Sequence, residues 1–348
     1  MEKSSLRPLV SVQAEWAIPQ QLEALADALS GAGPALAFGE SAFTQVPQGC
    51  ALVLPTSGSS GVPKSVALSS SAVIASAAAS HAFLGAEPGD RWSLLLPTTH
   101  IAGVNVLMRS LELGTELLGI DDGADFTAIV PTQLHRALNG DVQLLEHLQH
   151  AKAVLVGGAA TSPELQEQAA QNDIHLVTTY GMTEMSGGCV YNGHPLRGVD
   201  VQISDGAIEL NGPMKAIGYL GDTPFGDSFF RTSDAGRIEN GRLEVIGRID
   251  DQIITGGEKL SLGAVTDFLN AGSTQRFIAI GLPDAEWGQA LAIASDGPID
   301  ESEVKSALRG RFGAHASPKR LAANIELPLT ALGKPDRSTL AEIFGRLP

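Results

Sequence analysis

Short apolar runs recur along much of the chain, and each is followed by a helical pattern or a glycine-rich stretch. The runs span residues 51–54, 93–96, 127–130, 153–156 and 175–178. The helical patterns between them span residues 69–79, 104–113, 132–138 and 163–170, with Ser162 and Pro163 typical of a helix start. This alternation predicts βα units, a largely parallel sheet and hence an α/β fold.

The pattern changes after residue 198. Strand-like runs span 199–203, 207–210 and 242–246, and Asn-Gly pairs at 211–212 and 240–241 predict hairpins. Residues 247–259 are typical of a junction. Beyond it the patterns are a helix (262–270), two strands (276–280 and 291–294), a helix (301–312) and a strand (321–326). We therefore expect a large N-terminal domain over 1–249 and a small α+β domain over 250–348.

Composition narrows the possible functions. The chain has 348 residues, of which 43% are hydrophobic and 18% charged, as in soluble globular proteins. Its net charge of −16 argues against binding to nucleic acid or anionic membrane. Two cysteines without CxxC spacing fit a reducing compartment. The N-terminus lacks the apolar core of a signal peptide, and no apolar run is long enough to span a bilayer, so we expect a cytoplasmic protein.

A segment rich in hydroxyl and glycine residues, Thr56 to Gly61, follows the apolar run 51–54 and leads to Lys64. Glycines let backbone N–H groups turn toward an anion, and the lysine adds positive charge, so a polyphosphate is the expected ligand. The P-loop NTPase pattern does not fit, because Pro63 stands where that pattern requires a glycine. Taken alone, the segment could also be a plain Ser/Gly turn.

The segment resembles the TSG[ST][ST]GxPK motif of adenylate-forming enzymes, which include acyl-CoA ligases, peptide-synthetase adenylation domains and luciferases. The other motifs of that family follow in order: YGxTE at 180–184, a TGD-type motif at 232–234, GRxDDxIxxGGE at 247–258 and the lysine motif at 332–334. The resemblance covers about residues 51–337. It implies the adenylate-forming fold, with a large α/β domain whose N-terminal subdomain is truncated here, and a small mobile α+β domain.

The resemblance also implies ATP, Mg²⁺ and CoA as ligands and assigns residues to them. The phosphates would be held by Thr56, Ser57, Gly58, Ser59, Ser60, Gly61 and Lys64. The adenine would be held by Gly157, Gly158, Ala159, Thr179, Tyr180, Gly181 and Met182. Asp234 would accept hydrogen bonds from the ribose, and Arg248 would reach the ribose and phosphates.

Catalysis would run in two steps, adenylation of an acid and then transfer to CoA. Glu184 would ligate Mg²⁺, Thr183 would contact the α-phosphate, and Lys334 would bridge the acid and the α-phosphate. In this family the small domain rotates between the steps at the first Asp of the hinge motif, here Asp250. The rotation would bring Gly256 and Gly257 to the pantetheine channel.

Three stretches, 96–110, 130–134 and 178–193, resemble o-succinylbenzoate–CoA ligases of the short actinobacterial type. That resemblance implies ligation of o-succinylbenzoate to CoA in menaquinone biosynthesis. The acid carries a second, unreactive carboxylate, for which Arg109 and His100 are candidate ligands. Gly187 and Gly188 would give room for its aromatic ring.

Several alternatives stay open. Arg109 could be a surface helix residue and His100 a polar residue packed at a strand end, and we interpret His147 and His150 as a solvated helix face. Ser65, Ser233 and Pro335 depart from the family pattern. The short N-terminus could leave a shallow acyl pocket or one completed in a homodimer. The rival functions are a CoA ligase for another aromatic or short acid and a non-catalytic adenylate-binding relative.

Overall fold

The computed structural model describes residues 6–56, 64–249, 251–271, 273–328 and 336–346. These residues fall into two compact units. The large unit runs to Thr232 and also takes in Arg237–Glu244. The small unit comprises Ser233–Gly236 and the chain from Val245 onward. Asp250 and Lys334 lie outside the described residues.

The helices of the large unit are α1 (Ile18–Ser30), α2 (Ser70–Leu84), α3 (Ile101–Leu113), α4 (Pro131–Leu138), α5 (Val142–His150) and α6 (Pro163–Gln171). Its strands are β1 (Leu6–Ser11), β2 (Ala35–Ala37), β3 (Gln45–Pro47), β4 (Cys50–Thr56), β5 (Lys64–Ser69), β6 (Trp92–Ser93), β7 (Phe126–Ile129), β8 (Ala153–Val156), β9 (Leu176–Met182), β10 (Gly187–Tyr191), β11 (His194–Pro195), β12 (Asp200–Ser204), β13 (Ala207–Asn211) and β14 (Gly218–Tyr219). Two further strands, β15 (Phe230–Glu239) and β16 (Arg242–Arg248), contain the points where the chain passes between the units.

Two six-stranded sheets form most of the large unit. The first has the order β14-β5-β4-β2-β1-β3 and is mixed, and the second has the order β11-β10-β9-β8-β7-β6. Strands β6 to β9 are parallel, as the alternation of runs predicted. Every residue of β7 and β8 is buried, which is typical of strands covered on both faces. A smaller sheet has the order β12-β13-β15-β16.

Helices α2 and α3 contribute to the cores of both large sheets. Helix α2 contacts β4 and β5 on one side and β10 on the other. Its buried face carries mainly small residues, among them Ala72, Ser76 and Ala79, so that the helix fits close to its neighbours. Helix α3 is buried from Gly103 to Ser110, all round its axis, as expected of a helix packed on several sides.

Arg7 joins the N-terminal strands to the rest of the first sheet. Its guanidinium is buried and donates hydrogen bonds to the carbonyl oxygens of Ala28, Gly33 and Cys50. These acceptors lie at the end of α1, just after it and in β4. One planar, permanently charged group therefore satisfies three backbone carbonyls in the N-terminal part of the chain.

The small unit is α+β, as predicted. Its elements are β17 (Gln252–Thr255), β18 (Glu258–Ser261), α7 (Leu262–Asn270), β19 (Phe277–Asp284), β20 (Gly288–Ser295), α8 (Glu301–Phe312), β21 (Arg320–Ala322) and α9 (Arg337–Arg346). The strand order is β18-β17-β20-β19, and β21 pairs with β20. In β19, Phe277 and Ala279 belong to one hydrophobic cluster and Ile278 and Ile280 to another, so both faces of the sheet are covered.

Some elements differ from the sequence-based expectation. The predicted junction 247–259 contains the hairpin β17–β18, and the strand expected over 321–326 is only β21, Arg320–Ala322. The N-terminal strands and α9 were not predicted. Among the described residues, no helix is both long enough and apolar enough to cross a bilayer.

Candidate nucleotide and acyl site

The two ends of the predicted phosphate segment lie side by side. Thr56 ends β4 and Lys64 begins β5, and the two residues pair directly in the antiparallel ladder. The Thr56 hydroxyl donates a hydrogen bond to the Lys64 carbonyl oxygen, 3.4 Å away. Ser57, Gly58, Ser59, Ser60 and Gly61 lie outside the described residues, so their predicted phosphate contacts stay predictions.

The Lys64 ammonium group has two neighbours in the large unit. It lies 4.4 Å from the centre of the Tyr219 ring and 3.6 Å from the carboxylate of Asp222. The lysine and aspartate side chains are 44% and 57% exposed, so their ion pair is weak, on the order of 0–1 kcal/mol. The lysine is therefore available to an anion that approaches from solvent.

Glu184 is a buried carboxylate with a neutral partner. It lies in a short 3₁₀ turn, Thr183–Met185, directly after β9, and is only 9% exposed. The Tyr219 hydroxyl donates a hydrogen bond to Glu184 Oε1 at 2.8 Å. Burial and the adjacent Glu184 charge raise the pKa of Tyr219, so this phenol stays a donor.

A divalent cation would suit this carboxylate. Glu184 forms no ion pair with any described residue, and a buried charge without a partner is costly. The described residues contain no group of three or more His, Cys, Asp or Glu side chains that could hold a metal by themselves. Mg²⁺ commonly binds through one or two carboxylates together with substrate phosphates and water, and the environment of Glu184 fits that arrangement.

A left-handed turn at Ser186 fixes the position of Glu184. Ser186 is fully buried with φ of 54°. Its carbonyl oxygen accepts hydrogen bonds from Ser76 Oγ at 3.1 Å and Asn105 Nδ2 at 2.9 Å, and its hydroxyl donates to the Met214 carbonyl at 2.7 Å. Helices α2 and α3 and the segment before β14 thus all hold this turn. This turn could not be predicted from the sequence, because its partners are far away along the chain.

The residues predicted for adenine come together at the carboxyl ends of β8 and β9. A Cβ atom on Gly157 would lie 2.2 Å from Thr179 Oγ1, so only glycine allows this approach. The Thr179 hydroxyl donates to the Val156 carbonyl oxygen at 3.2 Å. Gly158 has φ of 83° and begins a turn that leads to exposed Ala159. The carboxyl ends of parallel strands are where open α/β sheets bind ligands.

In the small unit, Asp234 lies in β15 and Arg248 ends β16. The Ile249 amide donates to the Ser233 carbonyl at 2.7 Å, so these two segments are neighbours. Gly256 and Gly257 form the tip of the β17–β18 hairpin with φ of 59° and 86°. The Gly256 amide donates to the Trp287 carbonyl at 3.3 Å, and a Cβ on Gly256 would lie 3.7 Å from the Trp287 ring.

Residues 10–210, more than half of the chain, match the family model described as AMP-binding enzyme. This chain belongs to the AMP-binding enzyme family. A probable 2-succinylbenzoate–CoA ligase of Mycobacterium tuberculosis (strain ATCC 25618 / H37Rv) is 34% identical over 94% of this chain and 90% of that protein. A 2-succinylbenzoate–CoA ligase of Listeria monocytogenes serotype 4b is 31% identical over 84% of this chain and 70% of that protein.

The fold is also that of a solved synthetase structure. The o-succinylbenzoate CoA synthetase of Bacillus subtilis, in complex with the acyl-adenylate intermediate OSB-AMP, aligns with a TM-score of 0.77. The alignment covers 95% of this chain and 82% of that chain at 22% sequence identity. The adenylate-forming fold expected from the motifs is thereby confirmed.

The two residues predicted to bind the second carboxylate of the acid lie in different environments. Arg109 lies in the last turns of α3 and is 3% exposed, whereas His100 immediately precedes α3 and is exposed. Nine helical residues correspond to a rise of about 13 Å, so the two side chains begin more than two helical turns apart. The alternative that Arg109 is a surface helix residue is wrong, because Arg109 is buried.

The guanidinium group of Arg109 contacts neutral side chains. Its guanidinium carbon lies 4.8 Å from the centre of the Trp92 ring, and Nη2 donates to the Tyr191 hydroxyl at 2.9 Å. Its Nε is buried without a hydrogen-bond partner among the described residues. Tyr191 also shares a hydrogen bond of 3.0 Å with Ser80 of α2. A buried cation with an unused donor is a strong candidate to receive an anion.

Gly187 and Gly188 occupy crowded positions. A Cβ on Gly187 would lie 2.1 Å from Asn105 Nδ2, and one on Gly188 would lie 2.9 Å from the Tyr191 ring. Asn105 and Tyr191 thus fill the space where the side chains of residues 187 and 188 would begin, and a substrate ring cannot occupy that space. The predicted contact of these glycines with substrate stays a prediction.

A buried histidine network beside Arg109 was not predicted. Trp92 Nε1 donates to His81 Nε2 at 3.0 Å, and His81 Nδ1 is hydrogen-bonded to Glu112. Burial lowers the pKa of His81, although Glu112 and Asp90 oppose the shift and the positive charge of Arg109 reinforces it. His81 is therefore neutral in the folded protein at neutral pH.

The interpretation of His147 as solvated is wrong, while His150 is exposed as expected. His147 is buried, and its Nε2 is hydrogen-bonded to the Ser93 hydroxyl at 2.7 Å. Cys50 and Cys189 are free and buried, and burial raises the pKa of both thiols to about 12. The interpretation of Cys189 as packing rather than chemistry agrees with this environment.

We predict that the large unit loses stability as the pH falls from about 7.5 to 5.5. The pKa of His81 is lowered from 6.5, so the unfolded chain binds a proton in this range that the folded chain does not. One such group contributes up to about 1.4 kcal/mol per pH unit. The measurement is the melting temperature across this pH range for wild type and His81→Gln, in which the slope should be smaller. The exposed-site control His194→Gln should keep the wild-type slope, and an unchanged slope in His81→Gln would contradict the assignment.

Proposed function

We propose that this protein ligates 2-succinylbenzoate to CoA through an acyl-adenylate, with release of AMP and pyrophosphate, in menaquinone biosynthesis. The observation that carries the proposal is the similarity to the mycobacterial 2-succinylbenzoate–CoA ligase, which extends over nearly the full length of both chains. ATP and CoA are metabolites of the cytoplasm, and the two buried free thiols suit that compartment. We therefore infer a cytoplasmic enzyme, and a homodimer stays a prediction.

In the first step, a carboxylate oxygen of the acid attacks the α-phosphorus of ATP and pyrophosphate leaves. Thr56, Lys64 and the segment between them would hold the β- and γ-phosphates. Thr183 would donate its hydroxyl to the α-phosphate, and Lys334 would neutralise charge between the acid and the α-phosphate. Glu184 would hold Mg²⁺, which supplies positive charge to the phosphates. Asp234 and Arg248 would bind the ribose.

In the second step, the CoA sulfur attacks the acyl carbon, the thiol proton is lost, and AMP leaves as the thioester forms. Lys334 would have no role in this step, because rotation of the small domain would remove it from the site. Rotation at Asp250 would exchange Lys334 for the Gly256–Gly257 hairpin tip. That tip has no side chains, which allows the narrow pantetheine arm to pass.

For the acid, we assign Arg109 to the carboxylate that does not react. The support is its burial, its positive charge and its unpartnered Nε within the described part of the chain. A carboxylate beside it would compensate a buried charge that has neutral contacts, and hydrogen bonds to charged groups are worth about 1.5–3 kcal/mol. His100 stays a predicted contact of the same acid at the start of α3.

For CoA, we assign a basic depression in the small unit. It measures about 480 Å³ and is lined by Trp287, Lys305, Arg309 and Lys319. The Lys319 ammonium lies 4.7 Å from the centre of the Trp287 ring and pairs with Asp284 and Glu286, while Arg309 donates to Ser317. Trp287 also adjoins Gly256. Trp287 therefore links the depression to the proposed pantetheine passage, and the cations of the depression suit the phosphorylated nucleotide end of CoA.

The primary test is a panel of acids with MgATP and CoA. We expect pyrophosphate release and a CoA thioester with 2-succinylbenzoate, and far less with benzoate, succinate or a medium-chain fatty acid. Coupled pyrophosphate detection and mass spectrometry of the thioester measure the two products. A thioester from another acid would remove the substrate assignment but keep the chemistry. Absence of pyrophosphate with every acid would contradict the ligase proposal.

We predict that Lys334→Ala slows adenylation by about 10²-fold or more, because the variant loses a charge partner of the transition state. Thioester formation from prepared acyl-adenylate should be largely unchanged. Rapid-quench measurement of each half-reaction checks this. Arg346→Ala, an exposed position in α9, serves as the control for loss of a cation from the small unit. Equal slowing of both half-reactions would show that the role given to Lys334 is wrong.

We predict that Lys319→Ala raises the KM for CoA by about 3- to 5-fold, the size expected for an exposed charge contact. Pyrophosphate release in the absence of CoA should not change. Dephospho-CoA lacks the 3′-phosphate, so comparing the KM for CoA with the KM for dephospho-CoA measures the contribution of that phosphate to binding. If the depression binds the 3′-phosphate, wild type should prefer CoA to dephospho-CoA more strongly than Lys319→Ala does. An equal preference in both proteins would contradict the assignment.

A further inference from the structure

Tyr219 links the phosphate segment to the turn that carries Glu184. It lies in β14, which pairs antiparallel with β5, so Tyr219 is opposite Val66 and close to Lys64. The neighbouring Gly218 has φ of 153°, and a Cβ there would lie 3.1 Å from Pro224 Cα. The chain can therefore turn back tightly after β14 and place Phe225 against the Tyr219 ring, at 5.2 Å and edge-on. The ring is thus fixed in one orientation by its surroundings.

The two ends of the Tyr219 side chain contact two different proposed ATP ligands. Its hydroxyl donates to Glu184 Oε1 at 2.8 Å, and its ring faces the Lys64 ammonium at 4.4 Å. Glu184 and Lys64 are 120 residues apart along the sequence. The Tyr219 side chain therefore fixes the position of the Glu184 carboxylate relative to the Lys64 ammonium group.

The chemistry of a phenol suits this position. A lysine or arginine in the same place would neutralise the Glu184 carboxylate and compete with a metal ion. A neutral hydroxyl instead occupies Oε1 and orients the group, while Oε2 keeps its lone pairs and the carboxylate keeps its full charge. The ring face, which carries negative partial charge, attracts the Lys64 ammonium without forming a salt bridge to Glu184.

We propose that Tyr219 is a positioning residue for MgATP, which orients Glu184 for the metal ion through its hydroxyl and Lys64 for the phosphates through its ring. This inference rests on the proposed ATP-dependent function. Tyr219 itself need not touch the nucleotide. Its effect passes through Glu184 and Lys64, so it should appear first in the affinity for the metal ion.

The test compares Tyr219→Phe with Tyr219→Leu. The probe is Mn²⁺ in the presence of α,β-methylene-ATP, with free Mn²⁺ measured by electron paramagnetic resonance. Tyr219→Phe keeps the ring but loses the hydroxyl, and should weaken Mn²⁺ binding by about 10-fold or more, as for other groups that orient metal ligands. Its affinity for the metal-free nucleotide analogue should stay near that of wild type. Tyr219→Leu should weaken both, because the ring beneath Lys64 is also lost.

Two controls separate orientation from general damage. Tyr191→Phe removes another buried tyrosine hydroxyl of the large unit, which contacts Ser80 and Arg109, and should keep the wild-type affinity for Mn²⁺. In a Glu184→Gln background, Tyr219→Phe should cause no additional loss, because the two residues act as one unit. Wild-type Mn²⁺ affinity in Tyr219→Phe would overturn the inference while leaving the ligase proposal intact. Absence of nucleotide-dependent Mn²⁺ binding by wild type would overturn the metal site itself.

Discussion

The buried carbonyl oxygen of Ser186 is the point on which the arrangement of the large unit depends. It receives hydrogen bonds from Ser76 of α2 and Asn105 of α3, and the same residue reaches the Met214 carbonyl through its hydroxyl. The residue has a left-handed backbone conformation, which costs a non-glycine residue on the order of 1 kcal/mol. Three hydrogen bonds, each worth about 1 kcal/mol net, are enough to offset that cost.

The Ser186 turn explains why its neighbours have the identities they have. Asn105 can reach the carbonyl only because Gly187 has no Cβ, since a Cβ there would collide with the Asn105 amide. The turn also ends the short 3₁₀ segment that carries Glu184, and the Ala216 amide donates to the Glu184 carbonyl at 2.8 Å. A backbone fixed on both sides leaves the Glu184 side chain little freedom, and the Tyr219 hydroxyl removes more of it. Preorganisation of this kind lowers the entropic cost of binding a cation.

The sequence predicted those features that depend on local pattern or on ordered motifs. The parallel strands β6 to β9 follow from apolar runs of four residues each, and the start of α6 follows from Ser162 and Pro163. The serine side chain does accept a hydrogen bond from the Leu165 amide, at 3.2 Å. The motif around Glu184 predicted a carboxylate that ligates Mg²⁺, and the structure places Glu184 in a buried environment that suits a cation.

Features that depend on partners distant in sequence could not be predicted in the same way. The hydrogen bond from Asn105 to Ser186 joins residues 81 positions apart, and that from Arg109 to Tyr191 joins residues 82 positions apart. A lone arginine or serine carries no local signal of such a contact. One signal was available for Arg109, because it lies in a helical segment that is apolar on all sides, and such helices are buried. A different signal was available for His147, because it lies three residues after Leu144 on the same face of its helix, and Leu144 is in the core.

One electrostatic conflict follows from the proposed function, since an acidic protein with a net charge of −16 is proposed to bind three anionic ligands. Lys64 and Lys319 resolve it near solvent. Lys64 is paired with exposed Asp222, and Lys319 with exposed Glu286 and partly buried Asp284. Separating an exposed ion pair costs about 1 kcal/mol or less. Hydrogen bonds from a cation to phosphate are worth more than that, so exchange of partners is favourable. Arg109 resolves it by burial, because its identified contacts are neutral and a carboxylate displaces no competing anion there. Selectivity for the acid should therefore depend on the interior, and affinity for ATP and CoA on the surface, where salt weakens binding.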